Sequence, residues 1–221
     1  MNEPTLHLAD GVGLWSDVRT PDIPPGRPAL FLDRDGVLVE EVHFLRRVED
    51  VRLSPGIAEA IRAANAAGVL VIVVTNQSGI ARGHLGWHDF AAVENAIAAQ
   101  LEAEAARIDA VFACGYLKAG YPPFDVEHDW RKPGSGMLRE AEKLLGVDLK
   151  RSVMIGDRLS DLEAGRGAGL CTGLLVRTGY GAENIAAVEA RRAEWEGSGF
   201  SVRVVDAPAE AIRMALKLAA G

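Results

Sequence analysis

The sequence predicts an α/β protein built on a doubly wound parallel sheet with helices on both faces. The first observation is that short apolar runs alternate with longer segments of helical periodicity from residue 28 onward. The second is that these runs are continuously rich in Val, Ile and Leu, which is typical of parallel strands buried on both faces. The predicted strands are 29–33, 69–75, 110–116, 152–157, 172–177 and 202–206.

The predicted helices fill the intervals between these strands. Ser54 is the predicted N-cap of the first, with Pro55 at its first helical position and Gly68 after its last turn. Repeats of apolar residues at helical spacing predict the next two. A solvated helix or loop is expected at 183–200, where the sequence is rich in charge. The remaining predicted helices are 88–107, 135–145, one after Ser160 and one after Pro208.

Residues 1–27 differ from the rest of the chain. They are rich in Pro, Asp and Gly and show no sustained period, so we expect an extended N-terminal arm. Residues 28–221 then form a single domain.

Composition and charge restrict the partners. The 221 residues carry a formal net charge of -7, whereas nucleic-acid-binding proteins usually present a basic face. The longest purely apolar run, 69–74, is too short to cross a membrane. Residues 1–15 lack the basic and apolar regions of a secretory signal, and Cys114 and Cys171 are expected to be reduced. We therefore expect a cytoplasmic protein that binds neither nucleic acid nor membrane.

Polar residues follow four of the predicted strands, at the edge of a parallel sheet where ligands bind. The four segments are DRDG at 33–36, TNQSGIARG at 75–83, WRKPGSGM at 130–137 and GDRLSD at 156–161. Each segment alone is more often a turn, a helix cap or a surface charge. Four of them in this order, each at the end of a strand or the loop after it, favour a functional site.

The residue types at these positions suit phosphoryl transfer. Asp33 and Asp157, with an oxygen near Asp35, are hard ligands for Mg2+. A carboxylate can attack phosphorus and form an aspartyl-phosphate, and a second carboxylate two residues later can move the proton. Lys132 and Thr75 are suited to hold the charged oxygens of the transferred group.

These segments together resemble the haloacid dehalogenase-like phosphatases, and DRDG, TNQSGIARG and RKP more narrowly resemble the heptose 1,7-bisphosphate phosphatases and the similar histidinol-phosphatase domains. The resemblance covers about residues 28–180. It implies a Rossmann-like sheet without a separate cap domain. The implied site residues are the nucleophile Asp33, the general acid/base Asp35, the phosphate and substrate binders Thr75, Asn76, Arg131 and Lys132, and the Mg2+ ligands Asp33, Asp157 and the backbone carbonyl of Asp35.

One departure from that family concerns zinc. Many members carry Cys-x-His followed by Cys-x-Cys before RKP, whereas this chain has CGY at 114–116 and HDW at 128–130. Only Cys114 and His128 remain as ligands, and a structural zinc site needs four. The sequence therefore predicts no zinc and a loop held by apolar packing.

The leading hypothesis is a Mg2+-dependent phosphatase that removes the 7-phosphate of D-glycero-D-manno-heptose 1,7-bisphosphate, acting as a monomer or small homo-oligomer. One alternative substrate is histidinol phosphate or another small phosphomonoester. Another class of protein, a phosphate-responsive signalling domain, also combines Asp, Thr and Lys on a doubly wound sheet. Asp35 favours the enzyme, because a stable phosphorylated switch has no use for an acid/base beside its nucleophile.

Overall fold

The computed structural model describes residues 5–219, which contain one seven-stranded sheet. The sheet order is β1-β4-β3-β2-β5-β6-β7, in which β1 runs antiparallel to β4 and the other six strands are parallel. The strands are β1 Leu14–Val18, β2 Ala29–Leu32, β3 Leu70–Asn76, β4 Ala110–Cys114, β5 Val153–Gly156, β6 Thr172–Val176 and β7 Ser201–Val205.

Helices cover both faces of this sheet. They are α1 Ile57–Ala66, α2 Ser78–Ala81, α3 Trp87–Ala103, α4 Gly136–Leu145, α5 Leu159–Ala168, α6 Gly181–Gly197 and α7 Pro208–Ala219. Leu30 and Leu32 of β2 pack with α1, α3 and α7, whereas Phe31 packs with α4, α5 and α6. Alternate residues of one strand therefore enter two separate cores, which confirms the predicted doubly wound architecture. No separate cap domain is inserted among residues 5–219.

The order of the strands in the sheet determines where a ligand site can form. From β2 the chain proceeds to β3 and β4 on one side of the sheet, and later to β5, β6 and β7 on the other. The carboxyl end of β2 is therefore flanked by those of β3 and β5, at the point where the winding reverses. Such a reversal opens a crevice between loops that diverge to opposite faces.

The start of α1 differs from the sequence prediction. Its N-cap is Gly56, with a φ of 70°, and its first residue is Ile57, so the prediction of Ser54 as N-cap is wrong. The carbonyl of Ser54 accepts a hydrogen bond from the N–H of Ile57 at 3.0 Å. Pro55 and Gly56 thus form a turn that precedes the helix.

Strand β1 was not anticipated from the sequence, which suggested only an extended arm. Trp15 stacks on Trp87 at 5.7 Å between ring centroids and meets the edge of Phe90 at 5.2 Å, so the arm is anchored against α3. The hydrophobic contribution of this cluster explains why a segment so rich in Asp and Gly joins the sheet.

None of the helices in the part of the chain that the structure describes is long and apolar enough to cross a bilayer.

Candidate active site

A cleft of about 450 Å³ opens at the carboxyl ends of the central strands. Its floor is formed by polar residues that follow β2 and β3, together with Lys132 and Asp161. Its rim carries residues from the loop after β2, from the α2 region and from the start of α5. Of the residues predicted as functional, those that line the cleft are Asp33, Asp35, Thr75, Asn76 and Lys132.

Lys132 is buried at the floor of the cleft between two carboxylates. Its Nζ lies 3.0 Å from Oδ1 of Asp33 and 2.7 Å from Oδ1 of Asp161, and donates to the carbonyl of Val74 at 2.8 Å. A lysine buried in this way keeps its charge because these acceptors compensate for lost hydration. Although burial alone lowers the pKa of Lys132, Asp161 and Asp33 raise it above its ordinary value. The ammonium group is thus a fixed cation beside Asp33.

Asp33 is held in place from two sides. Its Oδ1 accepts a hydrogen bond from the N–H of Arg34 at 2.8 Å, in addition to the contact with Lys132. Burial raises the pKa of the Asp33 carboxyl, Lys132 opposes this rise, and Asp161 and Asp35 add to it, so that the pKa is about 6. A second cation near Asp33 would relieve this like-charge repulsion.

The surroundings of the Asp157 carboxylate show whether a metal ion would fit beside it. Asp157 is completely buried; its Oδ2 accepts the N–H of Tyr180 at 2.8 Å, but its Oδ1 has no hydrogen-bond partner among the described residues. Burial, together with the charges of Asp33 and Asp161, raises the pKa of Asp157 to about 8. Ligand atoms of these three carboxylates lie within 4.8 Å of one another. The nearest cation to Oδ1 of Asp157 is Nε of Arg158 at 4.0 Å, beyond hydrogen-bond distance. A buried carboxylate oxygen without a hydrogen bond, in an oxygen-rich cluster, fits Mg2+.

Two glycines allow the backbone to approach Asp157. Gly36 has a φ of 81°, and a Cβ there would lie 2.6 Å from Oδ2 of Asp157. Gly179, with a φ of 54°, would place a Cβ in a still closer clash with the same oxygen. The two turns are also joined directly, since the hydroxyl of Thr178 donates to the carbonyl of Gly36 at 2.6 Å. The close fit therefore fixes the carboxylate of Asp157 between these turns.

Asp35 is oriented by two neighbours. Arg34 Nε donates to Oδ1 of Asp35 at 3.0 Å and Arg34 Nη2 to Oδ2 at 2.9 Å, which is a bidentate fork. Gln77 Nε2 donates to Oδ2 of Asp35 at 3.1 Å and to Oγ1 of Thr75 at 3.0 Å. Through Gln77, these hydrogen bonds connect Asp35 after β2 with Thr75 at the end of β3.

The predicted substrate binders Asn76 and Arg131 have other contacts in this structure. Asn76 Nδ2 donates to the carbonyl of Lys132 at 2.9 Å, and its Oδ1 accepts the N–H of Lys132 at 3.0 Å. Arg131 Nη1 donates to the carbonyl of Tyr116 at 3.1 Å, and Arg131 is not among the residues that line the cleft. Asn76 thus fixes the backbone that carries Lys132. Substrate binding by Asn76 and Arg131 stays a prediction.

The rim of the cleft is rich in basic and aromatic groups. The guanidinium of Arg158 lies 3.7 Å from the ring centroid of Tyr180, and the ring of Phe44 lies 4.3 Å from that of His84. Arg82 also lines the cleft. Arg82 and Arg158 supply positive charge that suits an anionic ligand, while the carboxyl of Glu41 also lines the cleft.

The loop between β4 and Arg131 is held by aromatic and hydrogen-bond contacts. Tyr116 stacks on His128 at 5.4 Å between centroids, and its hydroxyl donates to Oδ2 of Asp10 at 2.5 Å. The Nδ1 of His128 accepts the N–H of Trp130 at 3.1 Å. Burial raises the pKa of the Cys114 thiol to about 11. The absence of zinc stays a prediction.

Sequence reasoning missed two residues of the site, Asp161 and Gln77. Both lie within segments that the sequence singled out, GDRLSD and TNQSGIARG. The signal for Asp161 is its position in the first turn of α5, directly after the polar end of β5, from where it lines the same cleft. Gln77 carries no comparable spacing signal.

The chain is similar to proteins of known families. A family model described as HAD-hydrolase-like matches residues 129–195. The curated D-glycero-beta-D-manno-heptose-1,7-bisphosphate 7-phosphatase of Mesorhizobium japonicum is 45% identical over 174 residues, which are 78% of this chain and 80% of that protein. The D-glycero-D-manno-heptose-1,7-bisphosphate 7-phosphatase of Thermosynechococcus vestitus is 43% identical over 70% of this chain and 81% of its own length.

Solved structures agree with these matches. A crystal structure of a HAD-like protein from Mesorhizobium loti has a TM-score of 0.84 and 39% identity, and covers 97% of this chain and 96% of its own. The D,D-heptose 1,7-bisphosphate phosphatase from B. bronchiseptica, complexed with magnesium and phosphate, has a TM-score of 0.72 and 30% identity. That alignment covers 86% of this chain and 98% of the other.

Proposed function

The chain belongs to the HAD-like phosphatase family of D-glycero-D-manno-heptose-1,7-bisphosphate 7-phosphatases, and from this premise we propose that it hydrolyses the 7-phosphate of such a bisphosphate. The observation that carries the proposal is the position of Asp33. Its carboxylate lies at the floor of the cleft with a fixed cation, Lys132, 3.0 Å away. That arrangement suits attack on a phosphoryl group whose oxygens need a nearby positive charge.

In this proposal Asp33 is the nucleophile. Lys132 and the N–H of Arg34 hold Oδ1, which leaves Oδ2 to form the bond to phosphorus. The ester P–O bond breaks, and the leaving sugar oxygen takes a proton from Asp35. Water then attacks the aspartyl-phosphate, its proton passes to Asp35, and orthophosphate leaves with Asp33 regenerated.

The transferred phosphoryl group would be bound by Lys132 and Thr75. The side chain of Lys132 is fixed by three acceptors, so little reorganisation is needed when charge develops in the transition state. The hydroxyl of Thr75 accepts from Gln77, so its own hydrogen remains available for a phosphate oxygen.

Asp33, Asp157 and the backbone carbonyl of Asp35 would hold Mg2+. The support is that Oδ1 of Asp157 accepts no hydrogen bond from the described residues and that the carboxylates lie close together. When bound, Mg2+ would offset the negative charge of the phosphate oxygens. The protein contributes a buried, preshaped position in which Gly36 and Gly179 let the turns close around Asp157.

The second phosphate of the substrate would lie at the rim of the cleft. Arg82, His84 and Arg158 are placed there, within a chain that is otherwise acidic. A guanidinium recognises phosphate through paired N–H donors, and Arg158 is held in place by its contact with Tyr180. A substrate with one phosphate at each end fits this distribution of charge.

The proposal also includes the absence of zinc. Tyr116 and Trp130 take positions where the family pattern has ligands, and the hydroxyl of Tyr116 is committed to Asp10. The loop is tied to the N-terminal arm by this hydrogen bond and by the stacking of His128 on Tyr116. Metal analysis of the purified protein should detect less than 0.1 zinc per chain, on the order of trace contamination; stoichiometric zinc would contradict it.

Net charge and cysteine chemistry support proposals about the partners and the cellular compartment of the protein. A net charge of -7 favours a small phosphorylated substrate as partner over nucleic acid or an anionic membrane. Cys114 and Cys171 are free thiols, which suits the reducing cytoplasm. We expect a monomer or a small homo-oligomer, to be measured by light scattering.

The test is a panel of phosphoesters assayed with Mg2+, including both anomers of the heptose bisphosphate and histidinol phosphate. We expect kcat/KM for the preferred heptose bisphosphate to exceed that for histidinol phosphate by at least about tenfold. Asp33→Asn serves as the blank. Equal values for the two substrates would refute the substrate assignment, and full activity in Asp33→Asn would refute the mechanism.

A further inference from the structure

Arg34 is a buried cation next to Asp35, with only 1% of its side chain exposed. Its fork holds both carboxylate oxygens of Asp35, at 3.0 Å and 2.9 Å. The remaining terminal nitrogen, Nη1, donates to Oε1 of Glu94 at 3.4 Å, and its guanidinium lies 5.2 Å from the ring centroid of Phe90. Arg34 is therefore fixed between the acidic residue of the cleft and helix α3.

Glu94 is an unusual residue for its position. It lies on α3 between Val93 and Ile97, which belong to the hydrophobic core, and its side chain is only 1% exposed. Its Oε2 has no hydrogen-bond partner among the described residues, although Nη2 of Arg19 lies 3.8 Å away. Burying such a carboxylate is costly, and apolar replacements of buried ion pairs are often neutral or stabilising. Stability of the core therefore does not account for Glu94.

From this arrangement we infer that Glu94 is a positioning residue for the hydrolytic reaction: it holds the guanidinium of Arg34, whose fork orients the carboxylate of Asp35. The inference rests on the proposed function, in which Asp35 gives a proton to the leaving oxygen. If the guanidinium of Arg34 contacted only Asp35, the two side chains could change orientation together. Anchoring Nη1 to α3 removes that freedom, and Phe90 restricts the plane of the guanidinium.

The inference predicts a dependence on the leaving group. An alkoxide such as a sugar oxygen needs a proton as it departs, whereas p-nitrophenolate is stable without one. The value of kcat/KM reports only the steps up to departure of the leaving group, before water attacks the aspartyl-phosphate. Misorientation of Asp35 should therefore lower kcat/KM for a sugar phosphate and have little effect on kcat/KM for p-nitrophenyl phosphate. A general loss of folded protein would reduce both activities equally.

The experiment measures kcat/KM of the full chain with Mg2+ for both substrates, in the wild type and in Glu94→Gln. We expect Glu94→Gln to lose about tenfold on the sugar phosphate and less than about twofold on p-nitrophenyl phosphate. The inhibition constant of orthophosphate should remain unchanged, because Glu94 does not face the phosphate. If Glu94→Gln fails to fold, Glu94→Asp keeps the charge but withdraws it by one methylene, and the same selective loss is expected.

Asp109→Asn is the matched control. Asp109 is also a buried carboxylate, but it accepts the N–H of Val71 at 2.8 Å at the opposite end of the sheet. Its replacement should affect both substrates to the same extent. Equal losses on the two substrates in Glu94→Gln, or no loss on the sugar phosphate, would overturn the inference.

The outcomes for the wild type separate this inference from the proposed function. If the wild type hydrolyses another alkyl phosphate of the panel in preference to the heptose bisphosphate, the substrate assignment fails. The test of Glu94 then proceeds with that ester. A wild type without activity on any phosphoester overturns the function and the role of Glu94 together.

Discussion

The Nζ atom of Lys132 lies 2.7 Å from Oδ1 of Asp161, and this contact joins the segment before α4 to the first turn of α5. Asp161 also accepts the N–H of Arg158 through Oδ2 at 2.9 Å, so both of its oxygens are engaged. A doubly held carboxylate is a rigid support for the lysine. The positive charge of Lys132 is therefore shared between Asp161 and Asp33.

Replacement of this support should slow the reaction. In Asp161→Asn the ammonium of Lys132 loses one of two carboxylate partners and pairs more tightly with Asp33, which makes Asp33 a weaker nucleophile. We expect kcat to fall by about tenfold or more in steady-state assays with saturating Mg2+. Glu163→Gln, on the same helix but paired at the surface with Arg191, should stay within about twofold. Similar losses in both variants would contradict this role of Asp161.

Asn76 gives a second prediction. Its amide makes two reciprocal hydrogen bonds with the backbone of Lys132, one in each direction. Asn76→Asp preserves the acceptor but replaces the donor with an oxygen that faces the carbonyl of Lys132. We expect a loss of about 2 kcal/mol in unfolding free energy, measured by urea denaturation, and a lower kcat as Lys132 shifts.

Asn76→Ala is the control, because it removes both hydrogen bonds without introducing repulsion. It should be destabilised less than Asn76→Asp. An Asp variant as stable as the wild type would show that the amide does not fix this backbone.

Gly179 should control the binding of Mg2+. In Gly179→Ala the new methyl group clashes with Oδ2 of Asp157 and displaces a proposed metal ligand. We expect the Mg2+ concentration for half-maximal activity to rise by about tenfold or more, since a displaced ligand weakens coordination.

The control separates this clash from backbone strain. Gly68 has a comparable φ of 71° but no atom within 4 Å of a Cβ. Gly68→Ala should lose about 1 kcal/mol of unfolding free energy through the left-handed conformation alone, with unchanged Mg2+ dependence. An equal shift in Mg2+ dependence in both variants would argue against displacement of Asp157.

Asp10 gives a prediction on pH. Burial alone raises the pKa of its carboxyl, but the hydrogen bond from Tyr116 and those from the backbone of Val12, Leu14 and Gly13 outweigh this, so the pKa lies below its ordinary value of 3.8. Because folding lowers the pKa, the ionised carboxyl stabilises the fold above about pH 3.8. That contribution is lost as the pH falls through the lower, folded-state pKa.

Asp10→Asn should therefore be less stable than the wild type at pH 7, and the difference should shrink at pH 3. Thermal unfolding at both values, in buffers of equal ionic strength, measures this. Burial and the bond to Asp10 raise the pKa of Tyr116 to about 12, so the phenol remains protonated throughout this range. A difference independent of pH would show that the charge of Asp10 does not matter.

The fold class could be predicted from local features of the sequence. Continuous apolar runs such as 69–75 indicate buried strands, and helical spacing of Phe90, Val93 and Ile97 indicates an amphipathic helix. Strand β1 escaped this reasoning, because its place in the sheet depends on the packing of Trp15 against Trp87 and Phe90 rather than on its own pattern. The division into an arm and a domain at residue 28 stays a prediction.

The sequence alone determined the order of the strands along the chain, the positions of polar residues at their ends and the types of group that phosphoryl transfer needs. Those properties follow from backbone geometry and side-chain chemistry within short segments. Only the tertiary structure decided that Asp161 supports Lys132, that Asn76 binds a backbone and that Glu94 meets Arg34. Such contacts join residues up to 60 positions apart, and their distances are set by how helices pack on the sheet, which no local pattern encodes.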